Sequence, residues 1–359
     1  MNLDPAVKAA CDRLAKPYLH RGSGAIIAIA TPDTVAYHAY GSVDAVRAEP
    51  PSPSTLFEIG SITKVFTAIL LARMALNGRI DLDAPIGEIR TEFAGAPRWI
   101  TPRALATHTA GLPRVPFTVL QLLKLDTRDP YGAFTRPDLV SWIAGYRPRS
   151  APRTLRAPRY SNLGVGLLGE LLAMVAELSY EALIRREVLA PLGLTDTTIS
   201  LSDDQRSRLA TPHRGSKATS PWEFKALAGA GALRSTAGDL ITFSNAVIEA
   251  PRGKGPLHAA ISKSLEVQVS PPSEKMQSQC LGWIRLPQCA LSTRVYFHDG
   301  GTLGSASTLF VLPDAGVAVV ALANQGLTLW RMIQIARSKP DTILNEIVAT
   351  AGTRRQERT

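Results

Sequence analysis

The residues from Val65 to Leu76 read Val-Phe-Thr-Ala-Ile-Leu-Leu-Ala-Arg-Met-Ala-Leu, apolar on nearly every side of a helical wheel. A helix of that kind is stable only in a protein interior, so the rest of the chain has to surround it. Asn77-Gly78 supplies its C-terminal stop. Its N-terminal mouth is Gly60-Ser61-Ile62-Thr63-Lys64. Ser61 falls in the first turn, where unpaired backbone N–H groups and the positive end of the helix dipole favour developing negative charge. Lys64, three residues on, shares a face with the Ser61 hydroxyl. Burial at that point lowers the pKa of a lysine toward that of a useful proton acceptor. No other serine in the chain has a lysine three residues later.

The surroundings such a helix needs are affordable in a chain of 359 residues, 45% hydrophobic and 19% charged, a composition expected of about two globular domains. The first residues, Met1 to Arg21, carry a helical pattern (Val7, Ala10, Cys11, Leu14, Tyr18) behind Asp4-Pro5, with no apolar signal-peptide core. No apolar run is long enough to span a bilayer. A cytoplasmic protein without a membrane span is therefore expected. The net charge of +10 comes from scattered basic residues rather than an aromatic-interleaved patch, which argues against a nucleic-acid partner. Cys11, Cys280 and Cys289 fit neither a disulfide framework nor a metal spacing. His108 has no partner histidine at ligand spacing and reads as a structural hydrogen-bonding residue. No metal or cofactor is expected.

Taken in order, residues 24–30 and 34–40 read as two strands around a Thr31-Pro32-Asp33 turn. From the Ser61 helix to about residue 270 the pattern is helices and irregular loops. Thr101-Pro102 opens one helix. Another follows an arginine-crowded, proline-rich loop (Arg147, Arg149, Arg153, Arg156, Arg159) that ends at Tyr160-Ser161-Asn162. The start of that helix contains Gly164-Val165-Gly166-Leu167-Leu168-Gly169, a match to the dinucleotide fingerprint. With no strand before it, it reads instead as close helix packing. Strands return at 294–298, 306–312 and 317–323, and helical patterns run from Leu329 to Ala351. The expected fold is α/β of the α+β type: one antiparallel sheet built from both chain termini, flanked by the terminal helices, with an inserted all-helical domain. The division would be 1–60 plus 271–359 for the sheet domain and 61–270 for the helical one, with the active site at their interface.

Ser61-Ile62-Thr63-Lys64, Tyr160-Ser161-Asn162 and His298-Asp299-Gly300, in that order, resemble the three motifs of the serine β-lactamase and penicillin-binding-protein family, nearest its class C and esterase branch. Secondary markers agree, among them Asp81-Leu82-Asp83-Ala84-Pro85, His108-Thr109-Ala110-Gly111-Leu112-Pro113 and Pro191-Leu192-Gly193-Leu194. The resemblance runs from about residue 20 to 325. The Ser-Asp-Asn and Glu-x-x-Leu-Asn strings of class A are absent, so a tyrosine beside Ser61 is the natural deacylation base. His298 stands where β-lactamases carry a lysine that helps hold the substrate carboxylate.

The resemblance implies a nucleophilic Ser61 that forms an acyl-enzyme, with Lys64 and Tyr160 sharing the proton work. It also implies Asn162 bonded to Lys64 or to the substrate amide. The N–H groups of Ser61 and Gly301 would form an oxyanion hole, with Gly300 beside it on the substrate strand. His298 would border the site as a hydrogen-bond donor or auxiliary proton carrier. Arg159, with Arg156, would favour a substrate bearing a carboxylate. The partner is then a small-molecule or peptide acyl substrate, and the expected function is hydrolysis of an ester or amide. An acyltransferase or peptide cyclase, a β-lactamase proper and a non-catalytic acyl-binding relative are the alternatives.

Overall fold

The structure is a computed structural model. It describes residues 5–117, 129–148, 158–271, 273, 276–287 and 293–326. The helical pattern from Leu329 to Ala351, Cys289 and three of the loop arginines (Arg149, Arg153 and Arg156) lie outside the described residues.

Strands β1 (Gly24–Ala30) and β2 (Val35–Gly41) form from the two N-terminal runs. Two short pairs follow: β3 (Leu56–Glu58) with β6 (Arg234–Thr236), and β4 (His213–Arg214) with β5 (Lys217–Ala218). Strands β7 (Ser278–Gln279), β8 (Ile284–Arg285), β9 (Tyr296–Gly301), β10 (Ala306–Leu312) and β11 (Val317–Ala323) complete the set. The main sheet has seven strands in the order β2-β1-β11-β10-β9-β8-β7, all paired antiparallel. An N-terminal and a C-terminal strand meet within it, where Ala25 to Ala30 pair with Ala323 to Ala318.

The central strands are apolar without alternation because both faces of the sheet are covered. Ala25, Ile27 and Ile29 of β1 point into a core shared with α1 (Pro5–Ala15), which supplies Val7, Ala10, Cys11 and Ala15. Ile26, Ala28 and Ala30 point the other way, into a larger core. That second face is covered by a helix from the middle of the chain, α4 (Ala237–Glu249), through Leu240, Phe243 and Val247. Behind it lies α2 (Thr63–Leu76), buried at every position from Thr63 to Ala72 and again at Met74. It is enclosed by α3 (Asn162–Ala176), α5 (Pro256–Leu265) and the helical turn Ala228–Gly231.

Three details differ from the sequence expectation. The middle of the chain is not wholly helical, because β3 and β6 are fully buried runs whose backbone groups must pair with each other. The sheet extends through β7 and β8, two-residue strands too short to show any period. Strand β9 also starts at Tyr296 and continues through His298 to Gly301, so it carries the third motif along its length.

Candidate active site

Helix α2 is preceded by a tight 3-10 turn, Gly60–Ile62, that presents Ser61 at its mouth. Gly60 adopts a left-handed φ of +48°, and a side chain there would stand 2.6 Å from the backbone nitrogen of Gly301. A side chain at Gly300 would meet the carbonyl oxygen of Ile59 at 2.0 Å. These two glycines let the end of β9 pass directly against the Ser61 turn. Ser307 of β10 reinforces the approach by donating its hydroxyl to the Ile59 carbonyl at 2.8 Å.

Lys64 is fully buried. Its Nζ lies 3.0 Å from Ser61 Oγ, 2.9 Å from Asn162 Oδ1 and 2.6 Å from the carbonyl oxygen of Ala230. Burial, then repulsion from Arg114, hold its pKa well below the ordinary lysine value, with Asp299 opposing them. In the neutral amine the two N–H bonds are taken by the fixed carbonyl oxygens of Asn162 and Ala230. The lone pair is then left for the Ser61 hydroxyl. Asn162 is held in the required orientation because its Nδ2 donates to Tyr131 Oη at 3.1 Å.

The glycines of the Gly164–Gly169 stretch serve this arrangement. A side chain at Gly166 would stand 2.9 Å from the Leu227 Cα, and one at Gly169 would stand 3.0 Å from the Gly229 Cα. Their absence lets the Ala228–Gly231 turn lie on α3 and present the Ala230 carbonyl to Lys64. The stretch is helix packing.

Tyr160 donates its hydroxyl to Ser61 Oγ at 2.5 Å, and its pKa is raised, chiefly by burial. Ser61 Oγ thus lies between a phenol that keeps its proton and an amine that readily gives one up. The Tyr160–Asn162 turn sits on the His108–Arg114 loop. Ser161 caps α3 by accepting from Gly164 N at 2.9 Å and donates to the Pro113 carbonyl at 2.6 Å. Asn162 N donates to the Arg114 carbonyl at 2.9 Å. His108, at a φ of +61°, accepts from Ser161 N through Nδ1 at 3.2 Å and lies 4.6 Å from the Tyr160 ring. Burial, Lys64 and His298 together hold His108 neutral.

His298 is buried, and its Nδ1–H donates to the Asp299 carbonyl at 2.6 Å. Burial lowers its pKa to about 4 against the pull of Asp299, with Lys64 adding to the fall. At neutral pH it is an uncharged imidazole whose other ring nitrogen can only accept. Arg159 is exposed, and its backbone N–H donates to the His108 carbonyl at 2.8 Å. Among the described residues, the arginine over the Tyr160 ring is Arg114, whose guanidinium carbon lies 5.2 Å from the ring centre. Motif reading passed over Arg114, Tyr131 and Glu58. Only the proximity of Arg114 to the His108–Pro113 marker could have drawn attention to it.

The site and the sheet now have counterparts elsewhere. The family model described as Beta-lactamase matches residues 11–338. The chain belongs to the Beta-lactamase family. It is a serine hydrolase of the acyl-enzyme type. A Pseudomonas fluorescens protein named Beta-lactamase is 26% identical over 351 residues, covering 89% of this chain and 94% of that protein. The Escherichia coli (strain K12) D-alanyl-D-alanine-carboxypeptidase/endopeptidase AmpH is 25% identical over 314 residues, covering 81% of this chain and 77% of that protein. The crystal structure of a class C β-lactamase from Rhodobacter sphaeroides shares the fold, with a TM-score of 0.79 at 21% identity, over 96% of this chain and 100% of that one. Among the described residues no single helix is long and apolar enough to cross a membrane.

Proposed function

We propose that this member of the family hydrolyses an ester or an amide, Ser61 being the nucleophile, and prefers such substrates to β-lactams. The observation that carries the reading is the placement of Ser61 Oγ between Tyr160 Oη at 2.5 Å and Lys64 Nζ at 3.0 Å. As Oγ attacks the acyl carbonyl, its proton passes to the Lys64 amine. The developing oxyanion is met by the N–H groups of Ser61 and Gly301. Collapse breaks the bond to the leaving group, which takes up the proton through Tyr160. Water then attacks the acyl-Ser61 ester, loses its proton to the same pair and frees the acid and the serine. In this assignment the motif residues of 61–270 supply nucleophile and base, and those of 271–359 supply the substrate strand.

Preference against β-lactams rests on His298. Uncharged at neutral pH, it offers no fixed cation for the carboxylate that such antibiotics carry. Relatives with other duties support a wider substrate range. AmpH is one, and another is an Aspergillus violaceofuscus protein named Unguisins hydrolase ungD, 25% identical over 342 residues. A β-lactamase proper is the second reading, favoured by the name of the Pseudomonas fluorescens relative.

The test compares kcat/KM for p-nitrophenyl butyrate and a chromogenic cephalosporin on one preparation, with Ser61→Ala alongside. The ester is expected to lead by at least about tenfold, or ~1.4 kcal/mol of transition-state binding. Ser61→Ala should be inactive on both. A cephalosporin value equal to or above the ester value establishes the second reading instead, and an active Ser61→Ala variant removes the nucleophile.

A further inference from the structure

Glu58 closes β3 just ahead of the Ser61 turn, and its side chain is only 3% exposed. An anion so placed is costly unless it is fully hydrogen-bonded. Glu58 is bonded on both oxygens. Oε2 accepts from Thr302 Oγ1 at 2.8 Å and from Ser305 Oγ at 3.1 Å, and Oε1 accepts from Trp222 N at 2.7 Å. Arg234 faces it in the β3–β6 register and is itself buried, donating to the carbonyls of Ile199 and Trp222.

The two hydroxyl partners belong to one turn, the one joining β9 to β10. Within it Thr302 N donates to the Ser305 carbonyl at 3.0 Å, and Ser305 N donates to Thr302 Oγ1 at 3.1 Å. The residue before Thr302 is Gly301. The carboxylate therefore ties the segment that carries Ser61 to the segment that carries Gly301. The same two segments make the close Gly60–Gly301 backbone contact. Sterics at the two glycines allow the segments to approach but do not fix how they are turned. A carboxylate accepting from two side chains of the opposing turn supplies that restraint.

We propose that Glu58 is a positioning residue that holds the Gly301 N–H in register with Ser61 for oxyanion binding. The inference rests on the proposed roles of Ser61 and Gly301. A carboxylate suits the task better than an amide, because all three of its neighbours donate and it brings no donor of its own. In Glu58→Gln one partner faces an N–H instead of an acceptor, which loosens the turn while preserving side-chain size.

The test measures kcat and KM on p-nitrophenyl butyrate, the Ki of an arylboronic acid and Tm. It uses the full chain and its Glu58→Gln, Thr302→Val, Thr302→Ser and Ser61→Ala variants. The boronic acid adds to a serine oxygen and places a boron-bound oxygen where the oxyanion forms, so its affinity reads the hole. One oxyanion donor is worth about 10²–10³ in rate, so a displaced donor should cost about tenfold to a hundredfold. Glu58→Gln and Thr302→Val should lose that much in kcat/KM, mostly in kcat, and weaken the boronate in proportion. Thr302→Ser, which keeps the hydroxyl, should stay within about threefold of wild type. A lowered Tm with kcat/KM and Ki within twofold of wild type overturns the proposal, as does lost activity with unchanged boronate affinity. If Glu58→Gln does not fold, the two Thr302 variants decide by the same readouts. An active Ser61→Ala variant overturns the nucleophile and this inference together. An inactive one beside an unaffected Glu58→Gln overturns this inference alone.

Discussion

Glu58 and Lys64 are both buried in one short stretch of chain, and their surroundings are opposite in kind. Burial raises the pKa of Glu58, and its three accepted hydrogen bonds together with the charge of Arg234 oppose that rise. Lys64 is bonded to three neutral oxygens, and the charge of Arg114 works against its proton. A buried charge given complementary donors becomes a fastener. One given only neutral acceptors is poised to lose its charge, which is what a base beside a serine requires.

The largest expected effect comes from denying Lys64 the neutral state. Lys64→Arg keeps the charge on a guanidinium that does not deprotonate, so kcat/KM should fall at least about a hundredfold. A variant within tenfold of wild type in an ester assay breaks the contrast.

The next test concerns the third buried group of the site. Burial pushes the His298 imidazole down to about 4, against 6.5 when unperturbed. Between those values the unfolded chain binds a proton that the native one does not, so stability rises with pH across that window. Wild type should therefore lose at most about 3 kcal/mol as pH falls from 6.5 through 4. In His298→Gln that share should vanish, leaving a flatter plot of Tm against pH. An unchanged slope removes His298 as the cause.

Arg114→Gln sharpens the electrostatic side. Arg114 lowers the pKa of both Lys64 and Tyr160. Its loss should move the ascending limb of the kcat/KM–pH profile to higher pH. On the acid side the rate should drop by about threefold at low ionic strength, less in salt. A limb that stays in place assigns the tuning of Lys64 to burial alone. The smallest effect is expected at Arg159. With its side chain exposed, Arg159→Ala should raise KM for an anionic ester by no more than about twofold. A larger rise, absent with a neutral ester, would restore it to the substrate site.

The parts of the site that could be read from the chain are those whose chemistry is local. Ser61 and Lys64 share a helix face, and Tyr160 to Asn162 open the next buried helix, so spacing alone marks them. The Gly164–Gly169 stretch shows the limit of such reading. Its helical packing could be inferred from the missing strand, but its service to Lys64 through the Ala230 carbonyl depends on a turn some sixty residues later. Arg159 was singled out for its crowded loop, whereas Arg114 occupies the Tyr160 face. A position along the chain does not state which way a long side chain extends.

The sequence by itself determined that an all-apolar helix must lie inside, that strands from both ends share a sheet, and that a serine and a lysine stand on one face. The first and last follow from periodicity and helix geometry over a few residues, and the shared sheet from where the strand runs fall along the chain. Only the tertiary structure decided that α4 covers the second face of the sheet, that Lys64 meets neutral oxygens and that His298 is uncharged. It also decided that Glu58 fastens the Ser61 segment to the Gly301 turn. Those outcomes depend on desolvation and on partners far apart in the chain, and both exist only once the chain has folded around them.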